Sequence, residues 1–84
     1  MIRRKNEQSE KVDIEGTVIS VDWDDDGNVI AVAIEVDGEE FFVKNSGVGD
    51  ELFDYVELNV SVTGFVSKDE GGENEIEVVK FDVL

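Results

Sequence analysis

Apolar and polar residues alternate along most of the chain, and two Asp-Gly dipeptides interrupt the alternation. Alternation with a period of two residues is typical of β-strands that bury one face. The dipeptides Asp26-Gly27 and Asp37-Gly38 favour the positive φ angles of tight hairpin turns. The pattern therefore predicts a three-stranded antiparallel meander that turns at these two points.

The two turns determine which side chains share a face. A two-residue first turn sets Trp23 opposite Ile30, and a turn at Gly27-Asn28 would preserve the same faces. The second turn sets Ile34 opposite Phe41. Both hairpins then predict one common inner face, because successive residues of a strand point to opposite sides. This face comprises Ile19, Val21, Trp23, Ile30, Val32, Ile34, Phe41 and Val43, while Ala31, Ala33, Glu35, Glu40, Phe42 and Lys44 point outward.

The first strand, which we expect to begin near Val12, changes parity along its length. Val12 to Val18 alternate on one side, whereas Ile19 to Trp23 alternate on the other. Because a strand has a period of two, this change predicts a bulge or sharp bend near Gly16–Val18. A strand bent in this way can serve both halves of a barrel.

The second half of the chain predicts a short helix and two further strands. Acidic residues open the segment Asp50–Val56, where a helix dipole favours them. Val60–Val66 then alternates as a fourth strand, and Lys68–Asn74 is an acidic loop. The last strand, from Ile76 to Val83, changes parity after Val78, which predicts a second bend.

This order of elements resembles the oligonucleotide/oligosaccharide-binding (OB) fold, an all-β, five-stranded Greek-key barrel with a helix between strands three and four. The resemblance covers residues 12–84. It is carried by the bent segment Glu15–Val18, the helix at Asp50–Val56, and Val60–Val66, which resembles the Val-x-Val-x-Gly-x-Val strand of small bacterial OB proteins. SH3-like barrels also use short bent strands, but the helix favours the OB fold.

The resemblance implies a ligand face on strands two and three, flanked by the loops between strands one and two and between strands four and five. Phe42 lies opposite Ala33, so its ring should be partly uncovered, as a stacking platform for a base or sugar requires. Alternatively, the ring packs under the N-terminal tail, a loop or a second copy. The predicted face comprises Ala31, Ala33, Phe42, Lys44 and Phe65.

Charge is distributed unevenly along the chain, whose net charge is -15. Residues 1–11 hold four basic and two acidic side chains, a balance of +2, and we expect them to form a disordered basic tail. Residues 12–84 hold 20 acids against three lysines, a balance of -17. Such a domain repels phosphate backbones. We therefore expect a protein partner, with self-association as a variant and single-stranded nucleic acid or oligosaccharide as the alternative.

Two acidic loops suggest a cation site as a further alternative. The run Asp22-x-Asp24-x-Asp26-Gly27 matches the opening of an EF-hand loop, but its twelfth position is Ala33, where a bidentate Glu is needed. We favour the simpler interpretation, an acidic hairpin turn in which Asp-Gly supplies the positive φ angles. Weak calcium or magnesium binding would be shared between Asp22, Asp24 and Asp26 of the first loop and Asp69, Glu70 and Glu73 of the last.

Catalysis has little support in the composition. The chain has neither Cys nor His, so it lacks a thiol nucleophile and an imidazole base for Ser46 or Ser61. Most carboxylates fall on turns or outward strand positions. We therefore expect no enzymatic activity. No segment has the roughly 20 apolar residues that span a bilayer, and no apolar run follows the basic N-terminus, so we expect a cytoplasmic protein without a membrane partner.

Overall fold

Residues 10–45 and 47–84 are described by a computed structural model of the chain. The elements are β1 (Glu10–Trp23), β2 (Val29–Val36), β3 (Glu39–Val43), a 3-10 helix (Gly47–Tyr55), β4 (Asn59–Lys68) and β5 (Asn74–Val83). The strands follow the cyclic order β1-β2-β3-β5-β4 and close into a barrel. The chain is therefore an all-β, closed five-stranded barrel with a short helix between strands three and four, as the sequence predicts.

The start of β1 at Glu10 precedes the predicted start near Val12. The rest of the predicted disordered tail, residues 1–9, lies outside the described residues. In the part of the chain that is described, no helix is long and apolar enough to cross a membrane.

β1 closes the barrel by pairing with two different strands. Its first half, Glu10 to Thr17, runs antiparallel to β4, and its second half, Thr17 to Trp23, runs antiparallel to β2. Thr17 has a partner on each side, Glu35 on β2 and Asn59 on β4. One strand therefore serves both halves of the barrel, as predicted.

The predicted change of parity near Gly16–Val18 is wrong. Val18 lies opposite Ile34 and Ile19 lies opposite Ala33, one residue away from the predicted register. The irregularities of this hairpin come later, between Ser20 and Trp23 of β1. A shift of one residue exchanges the two faces of a strand. Four predicted inner residues consequently lie outside the core cluster: Ile19, Val21, Trp23 (53% exposed) and Ile30 (43% exposed).

The length of the first hairpin loop explains this error. The loop runs from Asp24 to Asn28 instead of turning on two residues, because Asp24 and Asn28 close it with a backbone hydrogen bond of 2.9 Å. The second turn is as predicted, with φ angles of +51° at Asp37 and +87° at Gly38. It sets Ile34 opposite Phe41, so the predicted register between β2 and β3 is confirmed.

The core lies inside the barrel and under the helix. The predicted α-like segment Asp50–Val56 is a 3-10 helix that begins earlier, at Gly47, and its Leu52 is fully buried. β5 carries the predicted parity change, since Val79 is an extra residue opposite the step from Thr63 to Gly64. The buried residues of this core cluster are Val18, Val32, Ile34, Val43, Leu52, Val60, Val62, Ile76 and Val78.

Gly16 lies where the backbone of β1 comes very close to that of β2. A Cβ atom at Gly16 would collide with the backbone oxygen of Glu35 and would lie 2.9 Å from methyl carbons of Ile34 and Val36. We expect Gly16→Ala to lower the free energy of unfolding by about 1–3 kcal/mol, as overpacking does. Gly71→Ala is the control, because its Cβ would meet only Asp69 Oδ1 at 3.5 Å. Urea denaturation measures the free energy of unfolding of both variants. Equal values for the two variants would contradict the close approach of the β1 and β2 backbones at Gly16.

Candidate interaction face

An apolar row crosses the outside of three strands. Ile19 on β1, Ala33 on β2 and Phe42 on β3 are direct partners in register and share the outer face. Ala33 is 0% exposed although it lies on the outer face, between the larger Ile19 and Phe42. We call these three residues the outer apolar row. The sequence predicted the pairing of Ala33 with Phe42 but placed Ile19 in the core.

Carboxylates border this row. Glu35 and Glu40 are direct cross-strand partners, and both are exposed. Phe42 has Glu75 of β5 as its partner on the other side. Like charges placed directly opposite each other on a sheet destabilise it. We call Glu35, Glu40 and Glu75 the acidic border, because these carboxylates place negative charge beside the row.

The cations predicted near this face have acceptors beside them. Lys44 follows β3, and its Nζ lies 4.0 Å from Glu75 Oε1. Lys68 donates a hydrogen bond of 2.9 Å to Asn74 Oδ1. Ala31 is half-buried opposite Asp22. Lys44 therefore lies beside a carboxylate, whereas the amide oxygen of Asn74 leaves the positive charge of Lys68 uncompensated.

Phe65 lies apart from the other predicted ligand residues. It points outward from β4, is 39% exposed, and pairs with Lys11 of β1 and Glu77 of β5. β5 separates it from Phe42, since β5 lies between β3 and β4. The structure therefore gathers Ala31, Ala33, Phe42 and Lys44 on β2 and β3, with Phe65 across the next strand. Ligand binding by these residues stays a prediction.

The two acidic loops have the same turn geometry. In the first loop, Asp24 Oδ1 accepts hydrogen bonds of 2.9 Å from the N–H groups of Asp26 and Asn28. In the last loop, Asp69 Oδ1 accepts from Gly71 (2.8 Å) and Glu73 (2.9 Å). Both leading Asp residues thus stabilise their own turns, as Asx residues often do.

A spacing visible in the sequence accounts for this geometry. A glycine with positive φ follows each leading Asp by three residues, at Gly27 (+87°) and Gly72 (+83°). The motif Asp-x-x-Gly occurs in both loops and predicts an Asx-led turn that closes on a left-handed glycine. The two-residue turn predicted from Asp26-Gly27 is therefore wrong, and the loop is longer.

The turn hydrogen bonds also act on the charge of Asp24. The N–H of Asn28, helped by its side-chain amide and by the N–H groups of Asp26 and Gly27, lowers the pKa of Asp24 below its ordinary value of 3.8. These donors favour the ionised form. Asp24 is therefore a carboxylate already engaged by its own loop.

The predicted cation ligands do not converge. Among residues 10–45 and 47–84, the structure contains no group of three or more carboxylates that could hold a metal ion. Calcium in proteins takes about six to eight oxygen ligands. Weak calcium or magnesium binding therefore stays a prediction for the six carboxylates Asp22, Asp24, Asp26, Asp69, Glu70 and Glu73.

Comparison of the chain with protein-family models, with curated proteins and with solved structures gave no match. A fold by itself does not determine what a domain binds. The basis for a functional inference is therefore the outer face and its charge.

The turn at Asp24 has a pH signature. A lowered folded-state pKa contributes stability that is present above the unfolded value and is lost as pH falls through the folded value. Asp24→Asn keeps the Oδ1 acceptor but cannot ionise. We expect the stability advantage of the wild type over this variant to shrink as pH falls below 3.8.

Urea midpoints measured between pH 2 and pH 6 test this expectation. Asp25→Asn is the matched control, because it makes the same charge change in the same loop at a carboxylate that those turn hydrogen bonds do not use. A wild-type advantage over Asp24→Asn that stays constant with pH, or an identical profile for Asp25→Asn, would contradict the assignment.

Proposed function

We propose that the chain is an OB-like domain that acts as a non-enzymatic interaction module, and that its partner is a protein with a basic and apolar surface. The observation that carries the proposal is the outer apolar row with the acidic border beside it, Glu35 and Glu40 on one side and Glu75 next to Phe42. The row supplies apolar surface for a contact that excludes water, and the carboxylates of the border favour a positively charged partner. The same combination repels ligands that are rich in phosphate.

The strand order supports the OB assignment. β3 and β5 make a short parallel contact, Phe42 with Glu75 and Val43 with Ile76, within an otherwise antiparallel barrel. The helix between β3 and β4 completes the OB order of elements. In OB domains the face of strands two and three receives the ligand. The outer apolar row lies on this face, with Ala33 on β2 and Phe42 on β3.

The facing pair of Glu35 and Glu40 favours a cationic partner. In the free barrel the two carboxylates repel each other across the strands. A Lys or Arg side chain placed between them would replace this repulsion with attraction. Electrostatic complementarity of this kind contributes mostly to specificity and to the rate of association.

The Phe42 ring is the feature that favours the alternative ligands, single-stranded nucleic acid and oligosaccharide. Its half-buried ring could stack with a base or a sugar. A nucleic acid would also bring phosphates to Glu35, Glu40 and Glu75, where repulsion opposes binding. An uncharged oligosaccharide avoids this repulsion, and its binding would hardly respond to salt.

The state of the charged groups supports a module without catalytic chemistry. Among the described residues no polar or charged side chain is buried. Acid–base catalysis by a carboxyl group usually requires a raised pKa in an apolar cleft. Asp24 has a shifted pKa, and the shift is downward.

The proposal is tested with a capped peptide of four Arg-Pro-Leu repeats, titrated into the isotope-labelled protein at near-physiological salt. The prolines lack N–H groups, so this probe cannot add to the barrel as a strand. We expect amide NMR shifts at Ile19, Ala33, Glu40 and Phe42, and weaker binding by Phe42→Ala. An unchanged spectrum, or shifts confined to other surfaces, would contradict the proposal.

Glu40→Lys separates stability from binding. The substitution turns a like-charge pair into an opposite-charge pair, so we expect the free energy of unfolding to rise by about 0.2–1 kcal/mol. The Kd for the Arg-Pro-Leu peptide should weaken by about three- to tenfold, since a favourable contact becomes a repulsive one. Asp54→Lys, on the exposed side of the helix, is the control with the same charge change. Equal weakening by both variants would mean that only net charge matters.

A further inference from the structure

The second half of β5 has one unpaired edge. β3 pairs with β5 only through Phe42 and Val43, and the N–H of Lys44 then donates to the oxygen of Ile76 at 3.0 Å. Beyond this point, Val78–Val83 pairs with β4 alone among the described strands. A strand edge of this kind presents alternate N–H and C=O groups that another strand can pair with.

A groove runs beside this edge, between β5 and the 3-10 helix. Its volume is about 380 Å³, and the helix lines one side with Val48, Glu51 and Tyr55. The segment Val79–Val83 lines the other side. The Tyr55 and Phe81 rings meet edge to face, with centroids 5.4 Å apart. The groove therefore combines apolar side chains with the charged Glu51, Lys80 and Asp82, directly beside unpaired backbone.

Exposed apolar side chains mark the same place. Val79 is 47% exposed and Val83 is 46% exposed, at the bulge and at the end of β5. Natural proteins commonly protect long strand edges with charges, bulges or covering elements. Here the bulge at Val79 interrupts the edge, but the exposed side chains at the bulge and at the end of the strand are valines instead of charged residues.

The two faces of the edge differ in character. Phe81 and Val83 pair with the inward Val62 and Val60 of β4, so they lie on the inner, apolar side. Lys80 and Asp82 pair with Thr63 and Ser61 and point outward. A strand added here would therefore place every second side chain against apolar groups and the others among charged groups.

We propose that the edge Val78–Val83 and its groove bind an extended segment of a partner protein, in which apolar residues alternate with Lys or Arg. Backbone pairing would supply affinity, and the alternation would supply specificity, as in other cases of β-strand addition. The occupant should carry positive charge, because Glu51 and Asp82 line the groove against the single cation Lys80. The net charge of residues 12–84, which is -17, favours the same sign. A second copy of the chain would bring the same negative charge and is disfavoured.

This surface goes beyond the proposed function, because it shares no residue with the outer apolar row or the acidic border. The two sites also require different ligand backbones. The proline-rich probe cannot pair with an edge, whereas a strand-forming peptide can. Failure at one site therefore leaves the other site testable.

The test uses a capped octapeptide of four Val-Lys repeats with the isotope-labelled wild-type protein. We expect NMR shifts at Val78–Val83, and slower hydrogen exchange at the amides that point from this edge. When the free peptide is ten times its Kd, exchange should slow by about tenfold, as mass action requires. A Val-Glu octapeptide of the same length should not bind.

Val83→Lys places a charge inside the groove, and we expect it to weaken the Kd of the Val-Lys peptide by about five- to tenfold. Ile30→Lys is the matched control, because Ile30 is 43% exposed, lies on β2 and makes the same charge change. The proposal is overturned if the wild-type amides of Val78–Val83 are unaffected or if the Val-Glu peptide binds equally well. A concentration-dependent dimer that Val83→Lys abolishes would assign the edge to a second copy and would also overturn it.

Discussion

The barrel depends on the double pairing of β1, which leaves β4 and joins β2 at Thr17. The transition requires the bare backbone of Gly16, since a side chain there would strike the oxygen of Glu35. Since β4 and β2 pair with opposite halves of β1, the barrel closes through a two-residue parallel contact between β3 and β5. The 3-10 helix packs against β5 and β2.

Both proposed surfaces follow from this closure. Pairing of β1 with β2 and of β2 with β3 aligns the outer apolar row, and the contact with β5 brings Glu75 beside Phe42. The same short contact leaves Val78–Val83 without a second neighbouring strand among the described residues. Under both proposals this negative domain would bind cationic polypeptides in preference to phosphate chains, because repulsion opposes a phosphate at a carboxylate border.

The sequence predicted the class of fold and much of its order, since alternation, the turn at Asp37-Gly38 and the bulge in β5 are local features with local causes. It predicted the pairing of Ala33 with Phe42 for the same reason. It misplaced Ile19 and Trp23 because the first loop is longer than two residues, and a slip of one residue reverses a strand. The outward positions of Glu35 and Glu40 also follow from the turn at Asp37-Gly38. The position of Glu75 beside Phe42 and the groove could not be predicted, since they depend on contacts of β5 with β3 and with the helix, which are distant from β5 in sequence.

The central proposal is that the carboxylates on the outer face of β2 and β3 disfavour single-stranded nucleic acid as a ligand. The most direct test is an amide NMR titration of the full chain with a short, mixed-sequence, single-stranded oligonucleotide at near-physiological salt. The account predicts unchanged amide signals from Ala31 to Lys44 and in both acidic loops. Shifts confined to that segment and those loops would show that the face binds nucleic acid despite its carboxylates, and would contradict the account.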